Sequence, residues 1–167
     1  MFQFIHYLKF LFTASNQHGI HSPFVYQYLM KCLYKRPMGK PSKTIDVLLK
    51  SVEYFKATSI WLPSDQIQLR SLLKKRVPHL TFEKTPCDII YVPGNLIGVL
   101  QDPNFLSKNS HSTTLFIVTK IHKKREVNTV WNNLIRKEDF HVSIDFFYCG
   151  ALFYRNEQIK QHFKIRI

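Results

Sequence analysis

Thr113-Thr-Leu-Phe-Ile-Val118 is the stretch on which the fold turns. A near-continuous apolar run has no polar face to give to water, so it reads as a strand covered on both faces, as in a parallel sheet between helical layers. Downstream, Val127, Val130, Trp131 and Leu134 recur at i, i+3, i+4 and i+7, which predicts a helix with Trp131 and Leu134 turned to the sheet. Upstream, Asp88-Ile-Ile-Tyr-Val92 is a further strand, the third in chain order, and Gly94-Asn95 turns the chain into a weak helix through Leu100. Further up, Thr58-Ser-Ile-Trp-Leu62 is a short strand stopped by Pro63, and Ser64-Asp65 caps a helix that runs to about Arg76. Leu80-Thr-Phe82 is a candidate second strand between these units.

The two ends read differently. Val142-Ser-Ile-Asp-Phe-Phe-Tyr148 and Ala151-Leu-Phe-Tyr154 are β-rich runs, and Cys149-Gly150 between them predicts a tight hairpin. At the front, Phe2 to about Thr13 is helix-like and Ala14 to His21 has the composition of a turn. Ser22-Pro23 supplies an N-cap and a first-turn proline for a helix through about Tyr34. After the linker Arg36–Ser42, Ile45, Leu48, Leu49 and Val52 mark a third helix, with Thr44 as its cap and its end near Phe55. Parallel βα units closed by a hairpin describe a three-layer α/β fold. It is read as one domain over residues 1–167, an N-terminal helical extension (1–43) on an α/β core (44–167).

Composition bounds the function. A 167-residue chain buries about 70% of its unfolded surface around one core, and 45% hydrophobic residues suffice to offset the entropy of ordering. The formal net charge of +13 draws anions, whether nucleic acid, acidic protein or a membrane surface. Its lysines and arginines are scattered, however, and many fall where solvated helix faces or ends lie. Cys32, Cys87 and Cys149 lack paired spacing, which points to reduced thiols and a cytoplasmic setting. His6 and Lys9 interrupt the apolar segment Phe2–Phe12, which is too short to span a bilayer. It reads as an amphipathic helix packed on the domain, and its basic character leaves a peripheral membrane contact open.

Specific strings resemble a group of bacterial class I S-adenosylmethionine-dependent methyltransferase-like proteins. They are Phe12-Thr-Ala-Ser-Asn-Gln-His-Gly-Ile-His-Ser-Pro-Phe-Val25, Phe140-His-Val-Ser-Ile-Asp-Phe-Phe-Tyr-Cys-Gly-Ala-Leu-Phe-Tyr-Arg155 and Gln161-His-Phe-Lys-Ile-Arg166, with Asp88-Ile-Ile-Tyr-Val-Pro-Gly-Asn95 similar to the family's fourth strand and its exit. The resemblance implies a Rossmann-like methyltransferase sheet, mostly parallel with a C-terminal antiparallel hairpin, plus N-terminal helices. With only Lys84-Thr-Pro86 between the second strand and Asp88, where the family inserts a helix and an edge strand, the sheet is shortened in the middle.

Where active members follow the first strand with an acid and a Gly-x-Gly-like turn, this chain reads Ile60-Trp-Leu-Pro-Ser-Asp-Gln66, and no glycine lies between Gly39 and Gly94. Only glycine lets the backbone approach the cofactor closely, so no cofactor is expected. Pro93 and Thr119-Lys120 stand where the family carries acids, which leaves no carboxylate for a divalent cation. The leading expectation is a degenerate methyltransferase-like protein acting through its surface on a protein partner or as a homo-oligomer. A first alternative is an active enzyme with S-adenosylmethionine near Ser64, Asp65 and Glu83. A second is a basic nucleic-acid-binding module with Lys74, Lys75, Arg76, Lys123, Lys124 and Arg125 as phosphate contacts.

Other constellations are weaker. His18-Gly-Ile-His21 has the look of a metal pair but no carboxylate or cysteine at ligand spacing, so a helix-joining turn explains it. Asp145 reads as a hydrogen-bonded structural residue near the hairpin rather than a catalytic base. Phe146, Phe147, Tyr148, Phe153 and Tyr154 read as core rather than as a base-stacking platform. His122 is either structural or substrate-facing.

Overall fold

Six runs pair into one sheet: β1 (Ile60–Trp61), β2 (Cys87–Val92), β3 (Ser110–Thr119), β4 (Val142–Asp145), β5 (Cys149–Phe153) and β6 (Gln161–Lys164), in the order β1-β2-β3-β5-β4-β6. The computed structural model describes residues 2–15, 20–37, 41–82 and 84–167. β1, β2 and β3 pair in parallel, β4 and β6 pair in parallel, and β5 runs antiparallel to both of its neighbours. Five strands therefore share a direction and β5 alone is reversed. The result is an α/β fold with a mixed sheet.

The helices are α1 (Phe2–Thr13), α2 (Pro23–Tyr28) continuing into a π-helical segment Leu29–Leu33, α3 (Lys43–Tyr54), α4 (Ile67–Arg76), the 3-10 helix Gly94–Gln101, α5 (Pro103–Asn109) and α6 (Arg125–Leu134). They divide between two faces because strand side chains alternate. Leu115 and Ile117 of β3 enter a core with α2, α3 and α4, while Phe116 and Val118 enter another with the 3-10 helix, α5 and α6. Thr114–Val118 is thus buried between the two layers, as its apolar character requires, while Thr113 at the start of the run is exposed. Trp131 and Leu134 are fully buried on the second face.

Several local expectations are corrected. Cys149 and Gly150 are not the hairpin turn: both belong to β5, and the chain reverses at Phe146–Tyr148 with Phe147 at φ 70°. Gly150 is glycine because the Trp131 indole lies against its backbone, where an added Cβ would come within 2.2 Å of the ring. Within Leu80–Phe82 only Thr81 pairs, in an isolated bridge to Ser59. Ser42, rather than Thr44, caps α3 by accepting from the Ile45 N–H. Ser64 and Asp65 cap no helix, because α4 starts later, at Ile67, with Gln66 in the N-cap position and no side-chain cap. The aromatic run is core as read, with Phe146, Phe147 and Phe153 buried, although Tyr148 reaches the surface. All three cysteines are free and buried.

At the opposite end of the strands a carboxylate ties β1 to β2. Asp88 Oδ2 accepts from the backbone N–H and hydroxyl of Thr58 and of Ser59 at 2.7–3.1 Å, and Oδ1 faces His111 Nε2 at 3.2 Å. Burial pushes this carboxyl up, but the hydrogen bonds from Thr58 and Ser59 outweigh it and hold the group below its ordinary value of 3.8.

Two predictions follow from these contacts. Gly150→Ala should destabilise by about 1–3 kcal/mol through overpacking and Trp131→Ala by about 3–5 kcal/mol, with the double variant losing less than the sum because the removed indole is what the new methyl strikes. Denaturant unfolding of the three variants measures this. Asp88→Ala should cost roughly 1–3 kcal/mol at neutral pH. Because the folded carboxyl is held low, its contribution is present above 3.8 and fades as pH falls through the folded value, so the gap between wild type and variant should close in acid.

Candidate functional site

The strands that share a direction end at one edge of the sheet, and the chain leaving β2, β3 and β4 there brings together Gly94, Lys120, His122 and Asp145. Asp145, the last residue of β4, is 2% exposed. Its Oδ1 accepts the Phe147 N–H at 2.7 Å, which fixes the left-handed turn into β5, and its Oδ2 lies 2.7 Å from His122 Nε2. The other ring nitrogen, Nδ1, lies 3.0 Å from Asn128 Nδ2 of α6. Nε2 thus faces the Asp145 carboxylate and Nδ1 the Asn128 amide. Both ring nitrogens are then occupied, leaving His122 neither lone pair nor proton for a substrate. Asp145 is a structural hydrogen-bonded residue, as its place near the hairpin suggested.

Over this edge lies α1. His6 packs on the His122 ring at 5.3 Å between centroids, Tyr7 and Phe10 pack on Phe147 at 4.8 and 5.5 Å, and Phe147 in turn stacks on His122. Phe10, Ala14 and Phe147 make a small core of their own. The chain after α1 is pinned to β6: Ser15 bridges Ile165, Lys164 Nζ donates to Thr13 Oγ1, and Arg166 Nη2 donates to the Ala14 carbonyl.

Beside this cluster a cavity of about 630 Å³ opens between the 3-10 helix and α6, with Asn95, Lys120, Lys123, Lys124 and Glu126 at its rim. Lys120 is held at φ 56° while its N–H donates to the Tyr148 carbonyl at 2.8 Å. Gly94 meets β3 so closely that a Cβ there would lie 2.6 Å from the Thr119 carbonyl oxygen. Three lysines against one glutamate give the rim a positive balance that attracts anions. Burial pushes the Cys149 and Cys32 thiols up to about 12 and Cys87 to about 11, so all three stay protonated at neutral pH.

The residues predicted from sequence do not converge here. Leu62 and Pro63 are buried at the exit of β1, while Ser64 and Asp65 are exposed and the Asp65 carboxylate accepts from its neighbour Gln66. Neither lines the cavity, and Glu83 lies outside the described residues. Lys74, Lys75 and Arg76 end α4, whereas Lys123, Lys124 and Arg125 begin α6. These helices cover opposite faces, and Arg76 leads back to the start of β1 while Lys123 follows the end of β3. The six candidate phosphate contacts therefore fall into two separate groups. His18 lies outside the described residues, and His21 is exposed. Among the described residues no group of three or more His, Cys, Asp or Glu is placed to hold a metal ion. Comparison with protein-family models, curated proteins and solved structures found no match to this chain.

The cluster of His122, Asp145 and Phe147 was only half legible, because the contact that occupies it comes from His6, more than a hundred residues away. That contact should be pH-sensitive. Burial first, then the neighbouring His122 and Lys9, with a smaller contribution from Lys164, hold the docked His6 ring below its ordinary 6.5, against the opposing pull of Asp145. A free α1 binds the proton more readily, so docking weakens as pH falls below 6.5. Hydrogen exchange of α1 should accelerate in that range more than the slow core amides do. His6→Phe, which keeps a ring on His122 without a titrating nitrogen, should flatten that difference.

Proposed function

We propose that this chain is a methyltransferase-like α/β protein that no longer holds S-adenosylmethionine and acts through its surface. The observation that carries the reading is the exit of β1. Cofactor of this kind needs bare backbone there, and the chain instead presents the buried side chains of Leu62 and Pro63. The residues present do not fit the group. The sheet supports the family side of the reading, because a largely one-directional sheet with a single reversed strand near its C-terminal edge is what the sequence resemblance implies. Support for the loss of chemistry comes from the strand ends, where Pro93 and Lys120 stand in place of acids and His122 has both nitrogens engaged.

Titration calorimetry with S-adenosylmethionine and its demethylated product tests the proposal. Each lost contact costs roughly 1–3 kcal/mol, so losing the glycine turn and one further contact moves a micromolar site about a hundredfold or more toward millimolar. No saturable heat should appear at cofactor concentrations near about a hundred micromolar. A low-micromolar dissociation constant, weakened by Glu83→Ala, would overturn the proposal and establish the cofactor-binding alternative.

A further inference from the structure

We infer that α1 is an interfacial anchor that seats this protein on an anionic lipid bilayer. The helix uses one face for the domain: His6, Tyr7 and Phe10 turn toward His122 and Phe147. Its opposite face is also apolar. Phe4, Ile5, Leu8 and Phe12, at i, i+1, i+4 and i+8, share one stripe, and their exposures are 65%, 46%, 40% and 89%. Folding has thus left four large side chains in water on a single 12-residue helix, of which Phe10 alone is buried and His6 and Tyr7 are partly covered. Single exposed apolar residues are ordinary, but a contiguous stripe of them marks a contact surface.

Charge identifies the occupant. No acidic residue stands anywhere in residues 1–45, where Lys9, Lys31, Lys35, Arg36, Lys40 and Lys43 all fall. On the domain beneath, Lys120, Lys123 and Lys124 flank His122 at the end of the helix that carries His6, while Lys164 and Arg166 hold its other end through Thr13 and Ala14. An apolar stripe on a segment whose only charged residues are cations matches a surface of anionic headgroups over acyl chains, where the helix lies in the plane with its apolar face a few ångströms deep. A second copy fits poorly, because it would bring the same cations against these. Among the described residues no helix is long and apolar enough to cross a membrane, so the contact is with one surface only. The inference gives a partner to the surface action proposed above but stands on α1 alone, so cofactor titration and lipid binding fail independently.

Sedimentation of residues 1–167 with vesicles of phosphatidylcholine, alone or mixed with phosphatidylglycerol, is the test. The protein should pellet with the mixed vesicles and not with the neutral ones, and raising salt should release it. Phe4→Ser/Leu8→Ser/Phe12→Ser should bind at least about tenfold more weakly with an unchanged melting transition. Should the triple variant fail to fold, Phe12→Ser alone decides, since its 89% exposure leaves no packing to lose and binding should still fall severalfold. The inference is overturned if the wild type stays in the supernatant, if the serine variants bind as tightly as wild type, or if neutral vesicles bind equally well. It is also overturned if the wild type is a dimer in solution that the serine variants convert to monomer, which would assign the stripe to a second copy.

Discussion

The carboxylate of Asp145 is the constraint on which the upper edge of this molecule depends. One oxygen holds the Phe147 N–H and so fixes a left-handed residue in the tight reversal between β4 and β5. That reversal is what allows β5 to run back between β3 and β4, so the register of three strands passes through one hydrogen bond. The other oxygen holds His122, and the Phe147 ring stacks on that imidazole at 5.1 Å. A buried carboxylate is costly unless its hydrogen bonds are made, and here both oxygens are engaged. The same two bonds create the flat aromatic seat on which α1 rests. An acid in the position of a candidate catalytic base is therefore committed to architecture.

The opposite face of β5 carries a complementary constraint. The Trp131 indole lies directly over Gly150, so the strand that Asp145 aims is clamped from below by a side chain that tolerates no Cβ opposite it. At the other end of the strands Asp88 joins the starts of β1 and β2 through Thr58 and Ser59. Elsewhere a buried lysine closes a helix end: Lys50 of α3 donates to the carbonyls of Leu33 and Lys35 and pairs with Asp46.

Much of the fold was legible because its strongest signals are periodic. The run Thr113–Val118, the stripe Val127–Leu134 and the cap Ser22-Pro23 each fell where the residues indicated, and their burial follows from that pattern. What escaped reading lacked an apolar signature. β6 (Gln161–Lys164) is a mixed polar edge strand whose pairing with β4 is decided by tertiary contact, and α5 is a short helix announced only by Asp102-Pro103. Cys149-Gly150 resembled a turn because glycine there answers to a tryptophan nearly twenty residues earlier, a relation that no local rule contains. The site was harder still. Asp145 and His122 were visible as candidates, but their engagement with Asn128 and their cover by His6 depend on where α6 and α1 dock.

A sheet of this kind separates what stabilises it from what would make it an enzyme. Its stability lies in the two side-chain layers on either side of β2, β3 and β5, while any chemistry would lie in the loops that leave the strand ends. Leu62 and Pro63 fill the first of those exits with apolar side chains, and Lys120 places a cation at another. Apolar side chains at a strand exit favour packing, so nothing in folding opposes them there. The covering of the third exit goes further, because α1 occupies the edge above His122 and Phe147 with its own aromatic side chains. A helix that docks there needs apolar residues on its inner face, and one that remains apolar on its outer face as well has been shaped by a second requirement beyond the fold.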